Sequence, residues 1–211
     1  MSKKTGITQD TYQKLILDAG VVYADYGISG KQATILGATR GGSEFNVETE
    51  YKQVEVDGAP GPVVGDQRIV SVTATLTANF IEMSRQLLAM AVPGVETVGN
   101  SAQINTPMNN PYDEAGILID NVNYYEIKRK LEKTLPNFRY FDNIVIAAEL
   151  SGSKRPVICG IKNAIANSNL QLSFADKDES VLAITFRGSF DPNDLTEEPW
   201  FIRYPEDRTG A

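Results

Sequence analysis

The chain contains no histidine. That absence removes the Ser-His-Asp and Cys-His arrangements, the usual metal ligand and the commonest general base together. Cysteine is almost as scarce. Cys159 stands alone in 211 residues, so neither an intrachain disulfide nor a thiolate metal cluster is available. Within the apolar run Val157-Ile158-Cys159-Gly160-Ile161 it reads as a buried, inert thiol. Basic residues are outnumbered, 20 Lys and Arg against 27 Asp and Glu, for a net charge of −7. Gripping DNA needs cations that displace counterions from a duplex carrying roughly one charge per 1.7 Å. A chain this acidic is expected to enclose DNA at most, not to hold it. Long apolar runs are missing too. None approaches the ~18 residues of a membrane-spanning helix, so no membrane partner is expected. The opening Met1-Ser2-Lys3-Lys4-Thr5-Gly6 has two lysines with no apolar stretch behind them, so no signal peptide is expected and synthesis is placed in the cytoplasm.

Two motif-like stretches fail on inspection. Gly37-Ala38-Thr39-Arg40-Gly41-Gly42-Ser43-Glu44 has a phosphate-loop spacing, but Ser43 and Glu44 stand where Lys and Ser or Thr are needed. It reads as a glycine-rich turn entering a strand. Asp176-Lys177-Asp178-Glu179-Ser180 begins like a calcium loop, yet Val181 replaces the turn glycine and Arg187 the bidentate Glu. A solvated hairpin turn fits better. Carboxylates are frequent, and Glu48 and Glu50 share one face of a strand, but no sugar-binding aromatic marks either as a glycosidase dyad. The reading is therefore of no catalytic residue, no metal and no cofactor.

What is present is β-pattern. With 42% hydrophobic residues and mixed charge, the composition is that of a globular domain, read as a single domain over 1–211. Helical signals are limited to 10–18, capped by Thr8 and stopped by Gly20, to 82–91, and to a short segment over 129–135. Strands are expected over 21–26, 45–56, 67–80, 117–127, 141–150, 156–165, 170–174, 180–190 and 200–202. The fold class is thus mainly β, a sandwich or barrel-like pair of packed antiparallel sheets with a flanking helix and a long extended hairpin. An N-terminal arm over about 1–14, a long loop over 95–114 and a C-terminal tail over 205–211 complete the division.

The hairpin is the informative part. Two strands of about a dozen residues, each spanning ~40 Å, flank Asp57, Gly58, Ala59, Pro60, Gly61, Pro62, Val63, Val64, Gly65 and Asp66. Hairpin loops usually hold two to five residues, and longer ones tend to carry function. In the second strand Val70, Val72, Ala74, Leu76, Ala78 and Phe80 alternate with Ser71, Thr73, Thr75, Thr77 and Asn79, the period of a half-buried strand. In the first, Phe45, Val47, Thr49 and Tyr51 share a face, while Val54 and Val56 fall on the other. Either a bulge lies near Lys52, or the far half projects beyond its own core to meet another subunit. The polar face carries Glu48, Glu50, Thr73, Thr75 and Thr77, which are the candidate lining of a channel.

In order and spacing, four segments resemble the major tail tube proteins of long-tailed, siphovirus-like bacteriophages. They are Asp18-Ala19-Gly20-Val21-Val22-Tyr23, the run from Leu36 to Phe45, Val56-Asp57-Gly58-Ala59-Pro60-Gly61-Pro62-Val63, and the closing Ser189-Phe190-Asp191-Pro192-Asn193-Asp194-Leu195 with Glu198-Pro199-Trp200. The likeness covers roughly 15–204 and is weakest over 95–140. It implies a non-enzymatic virion protein, made in the host cytoplasm, that self-assembles into hexameric rings stacked as a hollow tail tube. It also implies a tape-measure protein, baseplate or distal tail proteins and tail-terminator proteins as partners, with DNA passing through unbound during ejection. By the same likeness the 57–66 loop reaches an adjacent ring, and the N-terminal segment and the 95–114 loop make further contacts. An acidic or neutral lining repeated around a ring would let a polyanion slide.

Two rival readings stay open at this stage, with a glycosidase as a third behind them. One is the tube of a contractile tail, secretion system or gene-transfer particle. The other is a β-sandwich carbohydrate-binding or adhesion module using Tyr124, Tyr125, Tyr140 and Trp200.

Overall fold

The computed structural model describes residues 11–54, 57, 58, 61, 63–92, 103, 104, 124, 125, 140–151, 155–167, 170–172 and 179–205. Its strands in chain order are β1 Val21–Ala24, β2 Thr34–Ile35, β3 Thr39–Gln53, β4 Gln67–Phe80, β5 Gln103–Ile104, β6 Tyr124–Tyr125, β7 Phe141–Glu149, β8 Pro156–Ala166, β9 Leu182–Arg187 and β10 Trp200–Arg203. Among the described residues there is one α-helix, α1 Arg85–Ala91, between β4 and β5. The protein is mainly β.

Eight strands form one continuous antiparallel sheet in the order β2-β1-β7-β8-β9-β4-β3, with β10 also on β8. Two separate sheets were expected; instead β8 joins both halves. Its residues 158–161 pair with β7 and β10, and its last two pair with β9. The halves close on a single apolar core. Val22, Ala24, Ile144, Ile146 and Ile161 come from one half, Leu76, Phe80, Leu182, Ile184 and Phe186 from the other. Alternation explains the register: Leu76 faces Phe186 and Ala78 faces Ile184 across β4 and β9, so one period-2 face supplies a whole layer.

Helix α1 packs Leu87 and Ala91 onto this core. Ser84 caps it, its hydroxyl accepting the Leu87 N–H at 3.1 Å. The other helical expectations fare differently. Over the described part of 10–18, residues 11–18, a 3-10 turn forms at Thr11–Lys14, because Ile16 is taken by a bridge to Leu150 at the end of β7. The segment 129–135 lies outside the described residues, as do parts of the strands expected over 117–127 and 170–174. The expected loop over 95–114 contains β5, which pairs with β6.

One buried polar group ties the β1–β2 connection to β7. Asn143, 4% exposed, accepts the Tyr26 N–H at 2.8 Å and donates to the Tyr26 carbonyl at 2.9 Å. Removing it strands both backbone groups, and such orphans cost about 1–3 kcal/mol. Asn143→Ala is therefore expected to lose about that much in a denaturant unfolding curve, while keeping the fold.

Candidate assembly interface

Strand β3 is 15 residues long and β4 is 14. They pair from Thr39↔Phe80 to Gln53↔Gln67. Only the near part belongs to the core. β4 meets β9 over Thr75–Phe80, the Gly188 N–H reaches the Ala74 carbonyl, and no described strand pairs with this side of β4 beyond that. From 67 to 73, then, β4 has β3 on one side and no described strand on the other. β3 is itself the terminal strand of the sheet. Among the described residues the far end of the hairpin is a two-stranded ribbon with both edges open.

Burial follows this division along one strand. Ala74, Leu76, Ala78 and Phe80 are fully buried, whereas Ile69 and Val70 are 59% and 56% exposed. On β3, Tyr51 is 60% exposed and Val54 is also open, as are Val63 and Val64 in the loop. Large apolar side chains thus crowd the part of the molecule that has no core of its own. A lone two-stranded ribbon is marginal in water, and open edges invite pairing with another chain.

The register also shifts. Glu50 faces Ser71 but Tyr51 faces Ile69, so Val70 is the extra residue. The sequence offered either a bulge near Lys52 or a far half projecting to another subunit; the bulge occurs, and its additional residue is on β4. A bulge bends and twists the ribbon. Deleting Val70 leaves Tyr51 opposite Ile69 and removes the bend together with one exposed apolar side chain. The expected result is an unchanged melting profile with assembly by light scattering strongly reduced.

The loop is shaped at its base by Asp66. Its carboxylate accepts from the Val63 N–H at 2.9 Å and the Gln53 amide at 3.2 Å. Its backbone N–H donates to the Val63 carbonyl, and its carbonyl accepts from the Val54 N–H at 3.0 Å. Gly58 and Gly65 hold positive φ, 86° and 92°, which a side chain would strain. Of the loop, Ala59, Pro60 and Pro62 lie outside the described residues.

The candidate lining residues fall together. Glu48 faces Thr73, Asn46 faces Thr75 and Glu44 faces Thr77, all on the side away from the core. Glu50 accepts the Ser71 hydroxyl at 3.0 Å, and Thr77 bonds Thr185 at 2.9 Å. Two features were not legible in sequence. Arg187 of β9 faces Thr75 and puts a cation on this hydroxyl and carboxylate face. Lys52 and Arg68 face each other directly across the ribbon. Like charges so placed repel.

The remaining motifs resolve into local structure. Gly41 and Gly42, at φ 81° and 85°, make an irregularity inside β3 between Thr39 and Ser43, not a turn ahead of it. Glu179 pairs with Arg40; residues 176–178 lie outside the described residues. Cys159 is half-buried, less enclosed than expected, and burial pushes its thiol up. Trp200 packs against Phe45 with ring centroids 6.5 Å apart and donates to Glu198. Tyr124 and Tyr125 form β6, and Tyr140 is half-buried.

A polar cleft of about 250 Å³ lies beside Asn143, Lys162 and Phe201. Asp191 and Asp194 rim it, each carboxylate turned back onto its own loop. The Thr196 hydroxyl and N–H hold the exposed Asp194 carboxyl below the usual range. Lys162 is engaged by Glu197.

No family model and no curated protein matches the chain. Among solved structures, it is similar to the sheath/tube terminator of an extracellular contractile injection system, PVC, in its extended state. That pair shares 13% identity over 87% of this chain and 92% of the other, with a TM-score of 0.38. It is also similar to the tube-terminating cap of the anti-feeding prophage, at 12% identity over 97% of this chain and 100% of the other, with a TM-score of 0.42.

Proposed function

We propose that this chain is a non-enzymatic structural subunit of a phage-type tail tube, built to associate with copies of itself. The observation that carries this reading is the far half of the β3–β4 hairpin, with two open edges and exposed Tyr51, Ile69 and Val70. A free subunit gains nothing from such a ribbon; an assembled one buries it. Each fully buried Val, Ile or Tyr-sized side chain contributes roughly 1.5–3 kcal/mol, so a few per contact outweigh the loss of freedom on association once a ring repeats them. In this reading the open edge of β3 takes a neighbour in the ring, which removes the exposed edge. The 57–66 loop reaches the next ring.

The face bearing Glu48, Glu50, Thr73, Thr75 and Thr77 lines the conduit in this proposal. Apart from Arg187, the hydroxyls and carboxylates of this face give a polyanion little to bind, so DNA slides past. A tape-measure protein inside, and baseplate and terminator proteins at the ends, are the partners the role requires. Sedimentation velocity across a concentration series tests the reading. Discrete species many subunits in size are expected. A monomer at every concentration, unchanged by added tape-measure or baseplate complex, would refute it.

A further inference from the structure

We propose that the polar cleft walled by β8, β10 and the 189–197 segment binds one neutral sugar ring. The inference is independent of self-association, because residues of a single chain line the cleft.

Charge selects the class of ligand. Among the described residues the carboxylates of Asp142, Asp191, Asp194 and Glu197 line the cleft, against Lys162 and Arg203. Lys31 adds a third cation, bonded to Asp142 at 2.8 Å. Both signs face one space, so an anion is repelled by the first set and a cation by the second. A hydroxyl is donor and acceptor at once. A polyhydroxylated ligand therefore uses both kinds of group and offers neither a charge to repel. Size narrows it further. The volume of about 250 Å³ falls below the roughly 300–1,000 Å³ of pockets for drug-sized molecules, which leaves room for about one ring. Ile28 and Phe201, both half-buried, give the C–H face of such a ring apolar contact.

The polar groups are held before any ligand arrives. Asp191 Oδ1 accepts the Asn193 N–H and amide at 2.8 and 3.0 Å, and Asp194 Oδ1 accepts the Thr196 N–H and hydroxyl at 3.0 and 2.6 Å. The Asn163 amide donates to the Ser189 carbonyl at 3.1 Å. Groups already fixed bind without the ordering cost that mobile ones carry. Bonding capacity remains all the same. Asn143, 4% exposed, spends one donor and one acceptor on Tyr26, half of what an amide can make. The Arg203 guanidinium lies over the Phe201 ring, 4.7 Å from its centroid, and forms no ion pair among the described residues. Phe201 is seated in turn on Gly160, where a Cβ would come within 2.5 Å of its ring. Backbone strain gathers here too. Among the described residues positive φ outside glycine occurs at Asn163, 46°, and at Asp25, 54°, whose carboxylate accepts the Asp142 N–H at 3.1 Å. Strain of this kind clusters at ligand clamps.

Saturation-transfer NMR on the full chain with glucose, galactose, mannose and N-acetylglucosamine tests this. At least one of these sugars is expected to bind with a Kd of about 10 mM or tighter. Arg203→Ala and Asp194→Asn, both at exposed positions, are each expected to weaken it about tenfold, and Lys52→Ala on the ribbon to leave it unchanged. No binding by any of the sugars overturns the proposal. So does binding of glutamate or lysine alone, which would make the ligand a charged one. Sugar binding that neither cleft variant weakens places the site elsewhere and overturns it equally. Should a variant misfold by circular dichroism, the parent chain with labelled isoleucine methyls decides. The Ile28 signal is expected to shift on titration while that of Ile69, on the ribbon, stays. A shift at Ile69 and not Ile28, or at neither, contradicts the proposal.

Discussion

A chain lacking residues 58–65 is expected to fold like the parent and to form no rings or tubes. The near hairpin explains the first half of that outcome. Val47 pairs with Ala74 and Phe45 with Leu76, and these pairs join the core without help from the loop. Beyond Thr49↔Val72 the ribbon gives the core nothing, and Val63 and Val64 within the deleted stretch are exposed. Surface changes of this kind usually fall within about 0.5 kcal/mol. The second half follows from what the deletion removes. Val63 can no longer be held by Asp66, and the apolar tip is gone with it. Thermal melting and near-ultraviolet circular dichroism check the fold, and light scattering checks assembly. Tubes of ordinary diameter from the deleted chain would show that the loop does not connect subunits.

The largest expected loss of stability comes from Phe186→Ala. Phe186 is fully buried, faces Leu76 of β4 on one side and Ala166 of β8 on the other, and so sits where the two halves of the sheet are stitched together. Truncating a buried Phe costs about 3–5 kcal/mol through lost transfer energy and the cavity left behind. That is a large share of the roughly 5–15 kcal/mol that holds a domain together. Denaturant unfolding should show the midpoint falling with little change in slope. A loss below about 1 kcal/mol would mean that β9 does not carry the junction. Assembly of this variant should track its folded fraction, in contrast to the loop deletion, which separates the two.

How much of this was legible in the sequence depends on where the determining partner lies. Strand β4 was readable because one of its faces rests on the core along its near half, and Ala74 to Phe80 alternate accordingly. Phe141–Glu149 and Trp200–Arg203 were readable instead as short runs of bulky apolar residues. The helix expected over 10–18 was not, because a distant residue, Leu150, captures Ile16 and overrides local preference. The glycines at 41 and 42 look like a turn locally, but they form an irregularity within β3, whose pairing to β4 resumes at Ser43↔Ala78.

The same distinction holds for the candidate interface. Its length, its loop and its hydroxyl-rich face are properties of nearby residues. The confrontation of Lys52 with Arg68 is not, since the extra residue Val70 sets which side chains meet. Nor is Arg187 beside Thr75, which is joined from more than a hundred positions away. Asp66 belongs between these cases. An Asp closing a glycine-rich loop is a recognisable signal for side-chain bonds to nearby backbone, yet its partners Val63 and Gln53 are fixed only by the fold.

The most direct measurement is negative-stain electron microscopy of the purified chain after concentration, beside the same chain given a tape-measure or baseplate complex as initiator. The account predicts rings or hollow tubes of uniform diameter, with an open lumen. Featureless monomers under both conditions would contradict it.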